Sequence, residues 1–172
     1  MPLTGKTIAV LVEQLYEDLE LWYPVLRFRE AGAEVAIVGT GKDSYPSKHG
    51  YPCQPTVQVQ QVQAPDFDAV IIPGGYAPDH MRRCPEMIDF VRQLAEQQKV
   101  VAAICHGGWL LCSVRCLDGR QVTGFHAIRD DLENAGATYL DAEVVRDGFL
   151  ITSRVPSDLP AFCRTIIAAL TD

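Results

Sequence analysis

The chain reads as an α/β protein, a three-layer sandwich with a mainly parallel sheet and helices on both faces. Three observations carry that reading. Short apolar runs alternate with longer stretches of helical periodicity along the whole chain. Runs such as Ala69-Val70-Ile71-Ile72 and Val100-Val101-Ala102-Ala103-Ile104 are continuously apolar, as strands buried on both faces must be. Two of them end in glycine-bearing turns, Pro73-Gly74-Gly75 and Cys105-His106-Gly107, which this topology brings to one edge of the sheet.

Each element has its own signal. Thr7–Val12 reads as a buried strand. Leu19–Ala31 carries Leu19, Trp22, Leu26 and Phe28 at helical spacing. Pro24 requires that helix to begin near it or to bend, and Gly32 closes it. Glu34–Gly39 is the second strand. The segment 41–55, rich in Gly, Pro, Lys and Ser, reads as loop and contains Lys48-His49-Gly50-Tyr51. Val57–Val62 alternates valine with glutamine, the pattern of a half-exposed strand. Ala69–Ile72 is the third buried strand, and Pro85–Gln98 has a helical pattern. Val100–Ile104 delivers Cys105. Ala127–Ala135 reads as a helix stopped by Gly136. Glu143–Val145 and Phe149–Thr152 pair around Asp147-Gly148. Asp158 opens an amphipathic helix that runs to Leu170. Without repeat, linker or low-complexity tract, residues 1–172 form one domain.

Composition narrows the function. A hydrophobic fraction of 48% with 22% charged residues is that of a globular protein. The net charge of −7 argues against a nucleic-acid surface and against attraction to anionic lipid. Met1-Pro2-Leu3-Thr4-Gly5-Lys6 lacks the apolar core of a signal peptide, and Ile8–Val12 is too short to span a membrane. The expected location is therefore the cytoplasm, with the six cysteines as reduced thiols. No GxGxxG, P-loop, HExxH or Cys-His cluster is present, so the chemistry is expected to need neither cofactor nor metal.

Cys105 is the leading candidate for that chemistry. It stands where an apolar strand turns sharply into Gly107-Gly108-Trp109-Leu110-Leu111, a helical segment. A helix N-terminus favours thiolate over thiol, so the expectation is an ionised, solvent-reachable nucleophile. The competing reading is a small buried hydrophobe, the commonest fate of a free cysteine. His106 is adjacent, but neighbours at such a turn usually point apart, which makes it a turn residue unless it is brought back to the sulfur. Glu17, Asp18 and Glu20 lie at the same sheet edge. They complement a helix dipole, or one of them folds over the sulfur as a proton donor with a raised pKa. Arg154 at a strand end holds an anion or pairs with a nearby acid. The N–H groups of His106 and Gly107 are candidates for an oxyanion hole.

Taken together, these segments resemble the ThiJ/PfpI family, in particular its PfpI-type intracellular protease branch. The resemblance rests on Tyr16-Glu17-Asp18-Leu19-Glu20-Leu21, Lys48-His49-Gly50-Tyr51, Ile72-Pro73-Gly74-Gly75, Ala103-Ile104-Cys105-His106-Gly107, Asp141-Ala142-Glu143-Val144-Val145 and Ser153-Arg154-Val155-Pro156, in that order along nearly the whole chain. It implies a flavodoxin-like sandwich with a nucleophile elbow. Cys105 matches the reactive cysteine and His106 the histidine that follows it. Glu20 matches the acid bonded to the sulfur, with Glu17 as second choice. Gly75 and Gly107 match backbone positions beside the nucleophile. Asp79 matches a carboxylate that a neighbouring subunit lends to the histidine, although aspartate is a methylene shorter than the glutamate expected there. Phe125 stands where the branch can place tyrosine, and Gly108 where proline is common. The resemblance implies a homodimer or higher oligomer. It also implies activity as a glyoxalase or deglycase on 2-oxoaldehydes and their adducts, or as a cysteine peptidase, so the partners would be small carbonyl compounds or peptides. A redox sensor or chaperone using an oxidisable Cys105 is the alternative it leaves.

Overall fold

In the computed structural model, which describes residues 1–172, the first strand β1 (Thr7–Leu11) lies at the middle of the molecule. Helix α1 (Asp18–Glu30) follows, then β2 (Glu34–Gly39), which returns beside β1 in parallel. The segment 41–55 is not plain loop. It holds a small antiparallel hairpin of β3 (Tyr45–Pro46) and β4 (Pro52–Cys53), then β5 (Val57–Gln58) at the sheet edge. β6 (Ala69–Ile72), α2 (Ala77–Met81), α3 (Pro85–Glu96) and β7 (Val100–Ile104) come next. Then follow α4 (Gly108–Val114), β8 (Gln121–Val122), α5 (Arg129–Asn134) and β9 (Thr138–Tyr139). The chain ends with the hairpin β10 (Val144–Asp147) and β11 (Leu150–Ser153), and with α6 (Leu159–Thr171).

Seven strands form the main sheet in the order β10-β11-β7-β6-β1-β2-β5. Every pair is parallel except the β10–β11 hairpin. Helices α1 and α6 pack together against one face, and α3 and α4 cover the other. This is the three-layer sandwich the sequence predicts. β1, β6 and β7 are buried along their length, apart from half-buried Thr7, which explains their unbroken apolar runs. Each fully buried Val, Ile or Leu contributes roughly 1.5–3 kcal/mol. The connections reverse direction across β1: β2 lies on one side of it and β6 on the other. Such a switch point opens a crevice at the carboxyl ends of the strands.

Two expectations need correction, and one element lies outside them. α1 does not begin near Pro24 but runs through it. Proline removes one helical hydrogen bond, and the burial of Leu21, Pro24, Val25 and Phe28 against the sheet keeps the helix in place. The Val57–Val62 strand stops after Gln58. The Gln58 N–H is taken by the Gln61 side chain at 3.1 Å, and residues 59–61 coil into a short 3₁₀ turn. Helix α2 lacks a sequence signal because it is a single turn and carries Pro78.

Candidate active site

Three strand ends converge on one cavity. β1 leads through Leu15 and Tyr16 to Glu17, β6 leads to Gly74 and Gly75, and β7 ends at Cys105. Leu15 and Cys105 both have left-handed backbone, at φ 62° and 60°. For a residue with a side chain that conformation costs roughly 1–2 kcal/mol, and the flanking strands hold it. At Cys105 it produces the elbow: strand, one 3₁₀ turn over Cys105–Gly107, then α4. Two glycines allow the elbow to pack. A Cβ on Gly107 would lie 2.5 Å from the Ile72 carbonyl oxygen. One on Gly74 would lie 2.6 Å from Glu20 Oε2 and 2.9 Å from Cys105 Cβ.

The cavity measures about 470 Å³. Cys105, His106, Glu20, Glu17 and Lys48 supply its chemistry, and Leu15, Tyr76, Phe125, Val155 and Pro156 supply its walls. The sulfur differs from the exposed thiolate that the turn suggests. Cys105 is only 9% exposed. Burial, and then the charge of Glu20, push its thiol up to about 12, against the N–H groups of His106 and Gly75 that face it. The helix that begins here has only seven residues, so its dipole does not offset that loss of solvation.

Glu20 is completely buried. Its Oε2 accepts the Gly74 N–H at 2.8 Å, and its Oε1 has no hydrogen-bond partner. Burial pushes this carboxyl up to about 8; the Gly74 N–H opposes the shift and the charge of Glu17 adds to it. Glu20 therefore keeps its proton at neutral pH, and it lies against the Cys105 thiol, whose ionisation it opposes. Glu17 has a different task. Its Oε2 accepts the Glu20 N–H at 3.0 Å, capping α1, while its side chain borders the cavity.

His106 does come back to the sulfur. Its Nδ1 lies 3.3 Å from Cys105 Sγ, because the tight 3₁₀ turn folds the two neighbours toward each other. The ring stacks on Phe125 at 4.9 Å and 28°, and meets Trp109 edge-on at 5.0 Å. Burial, with Lys48 and His126 nearby, lowers its basicity, so the imidazole is neutral at pH 7. Aromatic packing thus orients the ring, and no carboxylate of this chain bonds to it. Asp79 lies in α2, paired with Arg83, and does not border the cavity. A part for Asp79 would have to come from a second copy of the chain. Gly75 borders the cavity and turns its N–H to the sulfur, whereas Gly107 is seated against β6. Arg154 is committed to Asp158 and Asp141, the structural one of its two readings.

Sequence reasoning missed Lys48 and the apolar walls as parts of the site. Lys48 belongs to Lys48-His49-Gly50-Tyr51, a loop segment that also carries the resemblance, and nothing in its spacing shows that the loop folds back over α1. That fold is held by a clamp. Ser47 Oγ donates to Asp18 Oδ1 at 2.7 Å, and His49 Nδ1 bonds Asp18 Oδ2 at 2.7 Å. Glu17, Asp18 and His49 bring possible metal-ligand atoms within 4.8 Å of one another. Both Asp18 oxygens and the Glu17 cap are already used by protein donors, so the group works as a hydrogen-bonded tie.

A three-layer α/β sandwich with a cysteine elbow, a neutral histidine and a buried acid at its switch point defines a class of cysteine-centred proteins. The chain belongs to the DJ-1/PfpI family, whose sequence profile matches residues 6–169. It is similar to General stress protein 18 of Bacillus subtilis, with 41% identity over 169 residues, 96% of this chain and 98% of that one. It is similar to Deglycase PfpI of Pyrococcus furiosus, with 40% identity over 155 residues, 90% of this chain and 93% of that one. Among solved structures, it matches a two-domain protein of Anabaena variabilis containing DJ-1/ThiJ/PfpI-like and ferritin-like domains. There the TM-score is 0.94 and the identity 45%, over 96% of this chain and 48% of that longer one.

Proposed function

We propose that the protein is a cysteine-dependent enzyme acting on small reactive carbonyl compounds, 2-oxoaldehydes or the adducts they form with amines, in the cytoplasm and without a cofactor. The observation that carries this reading is the trio at the elbow: a thiol, a neutral imidazole at 3.3 Å, and a carboxyl group that keeps its proton at neutral pH. Deglycase-named relatives support it.

The trio can perform an isomerisation that needs no external oxidant. His106 Nδ1 accepts the thiol proton as Sγ bonds to the aldehyde carbon. The carbonyl oxygen takes the proton of Glu20, giving a hemithioacetal and a carboxylate. That carboxylate removes the proton from the former aldehyde carbon and returns it to the adjacent ketone carbon, while the hydroxyl proton of the hemithioacetal passes to the ketone oxygen. The product is a 2-hydroxy thioester. Water then releases the 2-hydroxy acid and restores the thiol. Carbon oxidation at one centre balances reduction at its neighbour.

Peptide cleavage is the weaker reading. It asks for a histidine oriented by a third polar group, and within this chain aromatic rings take that place. The test is purified protein with methylglyoxal and, separately, with unfolded casein. Lactate formation that disappears in Cys105→Ala is the expected result. Casein cleavage without lactate formation would replace this reading by the peptidase one, and neither activity would remove the enzyme reading.

A further inference from the structure

Lys48 is the one cation that borders the cavity, and the reaction above makes no use of it. Its backbone is unusually well fixed for a loop residue. The Lys48 N–H donates to the Tyr16 carbonyl at 3.0 Å. The preceding residue, Ser47, is buried and bridges to Tyr16. Ser47 Oγ accepts the N–H groups of His49 at 3.1 Å and Tyr51 at 3.0 Å while donating to Asp18. Tyr16 Oη closes the turn by donating to the Tyr51 carbonyl at 2.7 Å. The turn is thereby tied to the start of α1, which carries Glu17 and Glu20.

The side chain, by contrast, is uncommitted. Lys48 makes no ion pair, although Lys6, Lys42 and most arginines of the chain do. Its charge reaches the reacting groups, opposing protonation of His106 and favouring ionisation of Glu20. The acids that would compete for it are otherwise engaged. Glu20 is neutral near pH 7, and Glu17 faces the positive end of α1 through its cap. A lysine ammonium on a fixed turn, free of partners and facing a mostly apolar cavity, suits a single negative group on an incoming molecule.

We propose that Lys48 forms a carboxylate subsite, and that the cavity favours carbonyl compounds bearing a carboxylate a few bonds from the carbon that Cys105 attacks. The proposal rests on Cys105 as the reacting group and adds selection by charge.

Iodoacetate and iodoacetamide provide the test. They are nearly the same size, differ by one charge, and each alkylates a thiolate with loss of iodide. The rate ratio at Cys105 is read by mass spectrometry of its peptide at low salt. Any change in thiol reactivity moves both rates together, so the ratio isolates charge recognition. Lys48→Met is expected to lower the iodoacetate-to-iodoacetamide ratio about fivefold to tenfold, and Lys48→Arg to keep it within about twofold of wild type. Raising salt to about 0.5 M should bring the wild-type ratio toward the Lys48→Met value. An unchanged ratio in Lys48→Met, or an equal fall in Lys48→Arg, overturns the subsite. Alkylation does not require turnover, so this outcome is independent of whether methylglyoxal is converted.

Discussion

Cys105 and Cys163 are both closed to solvent, at 9% and 0% exposure, and burial raises both thiols to about 12. By these measures they are twins. Their neighbours differ. Cys163 lies in α6 inside the apolar core, and the one charge that acts on it is that of Arg27, which opposes the shift. Cys105 sits on left-handed backbone with an imidazole nitrogen at 3.3 Å, a protonated carboxyl group and a cavity in front of it. The difference teaches that reactivity here does not come from a free-standing low-pKa thiolate. It comes from groups that take the proton away while the bond to sulfur forms.

The largest effect should come from the sulfur itself. Cys105→Ala is expected to reduce methylglyoxal turnover by a factor on the order of 10³ or more, because no other thiol borders the cavity. Turnover that survives this change within about tenfold would reduce Cys105 to the status of Cys163.

Glu20→Gln comes second. Glutamine keeps the shape and the acceptor for the Gly74 N–H but carries no transferable proton. Turnover should fall about a hundredfold. The wild-type rate should also decline as pH rises through about 8, where Glu20 loses its proton. Stability follows with the same sign. The folded carboxyl has a higher pKa than the unfolded one, so the folded state binds the extra proton. Its stabilisation is complete below the ordinary carboxyl range and is lost as pH rises through about 8. Thermal melting should show wild type losing ground to Glu20→Gln between pH 5 and 9, a range of about four units. A constant gap across that range would mean that Glu20 is ionised throughout.

Phe125→Ala sharpens the comparison on the histidine side. Removing the ring that stacks on His106 frees the imidazole to leave the sulfur. The expected loss is about tenfold in kcat with KM little changed, since Phe125 positions a base. Phe125→Tyr should restore the rate, because the stacking face returns; failure of that rescue would assign Phe125 to substrate contact instead.

The parts of this arrangement were unequally visible in the sequence. The buried strands were legible because a parallel sheet covered on both faces leaves an unbroken apolar run, and Ala69–Ile72 and Val100–Ile104 show it. The elbow was legible because glycines 74 and 107 are needed where backbone meets backbone. The state of Cys105 was not. A turn and a helix start argue for a thiolate, but the outcome depends on how far β6 and α1 close over the sulfur, which no local pattern encodes. The same holds for His106, whose direction is set by Phe125 and Trp109 from other elements. It holds for Lys48, brought to the cavity by the Ser47–Asp18–His49 tie across about thirty residues of sequence. The Val57–Val62 reading failed for a related reason: alternation describes a strand only when a partner continues beside it, and β2 offers β5 just Val38 and Gly39.

Cys163→Ala is the control on which the comparison depends. The change removes one sulfur from a packed site in α6, so it should cost about 1 kcal/mol of stability, seen as a few degrees in the thermal midpoint. Carbonyl turnover and the alkylation ratio at Cys105 should stay as in wild type, because Cys163 does not border the cavity. In a wild-type protein treated with iodoacetamide below its unfolding transition, Cys105 should be modified and Cys163 spared, even though burial lifts both thiols alike. Equal modification of the two would show that local opening, rather than the imidazole and the carboxyl beside Cys105, governs access to sulfur in this fold.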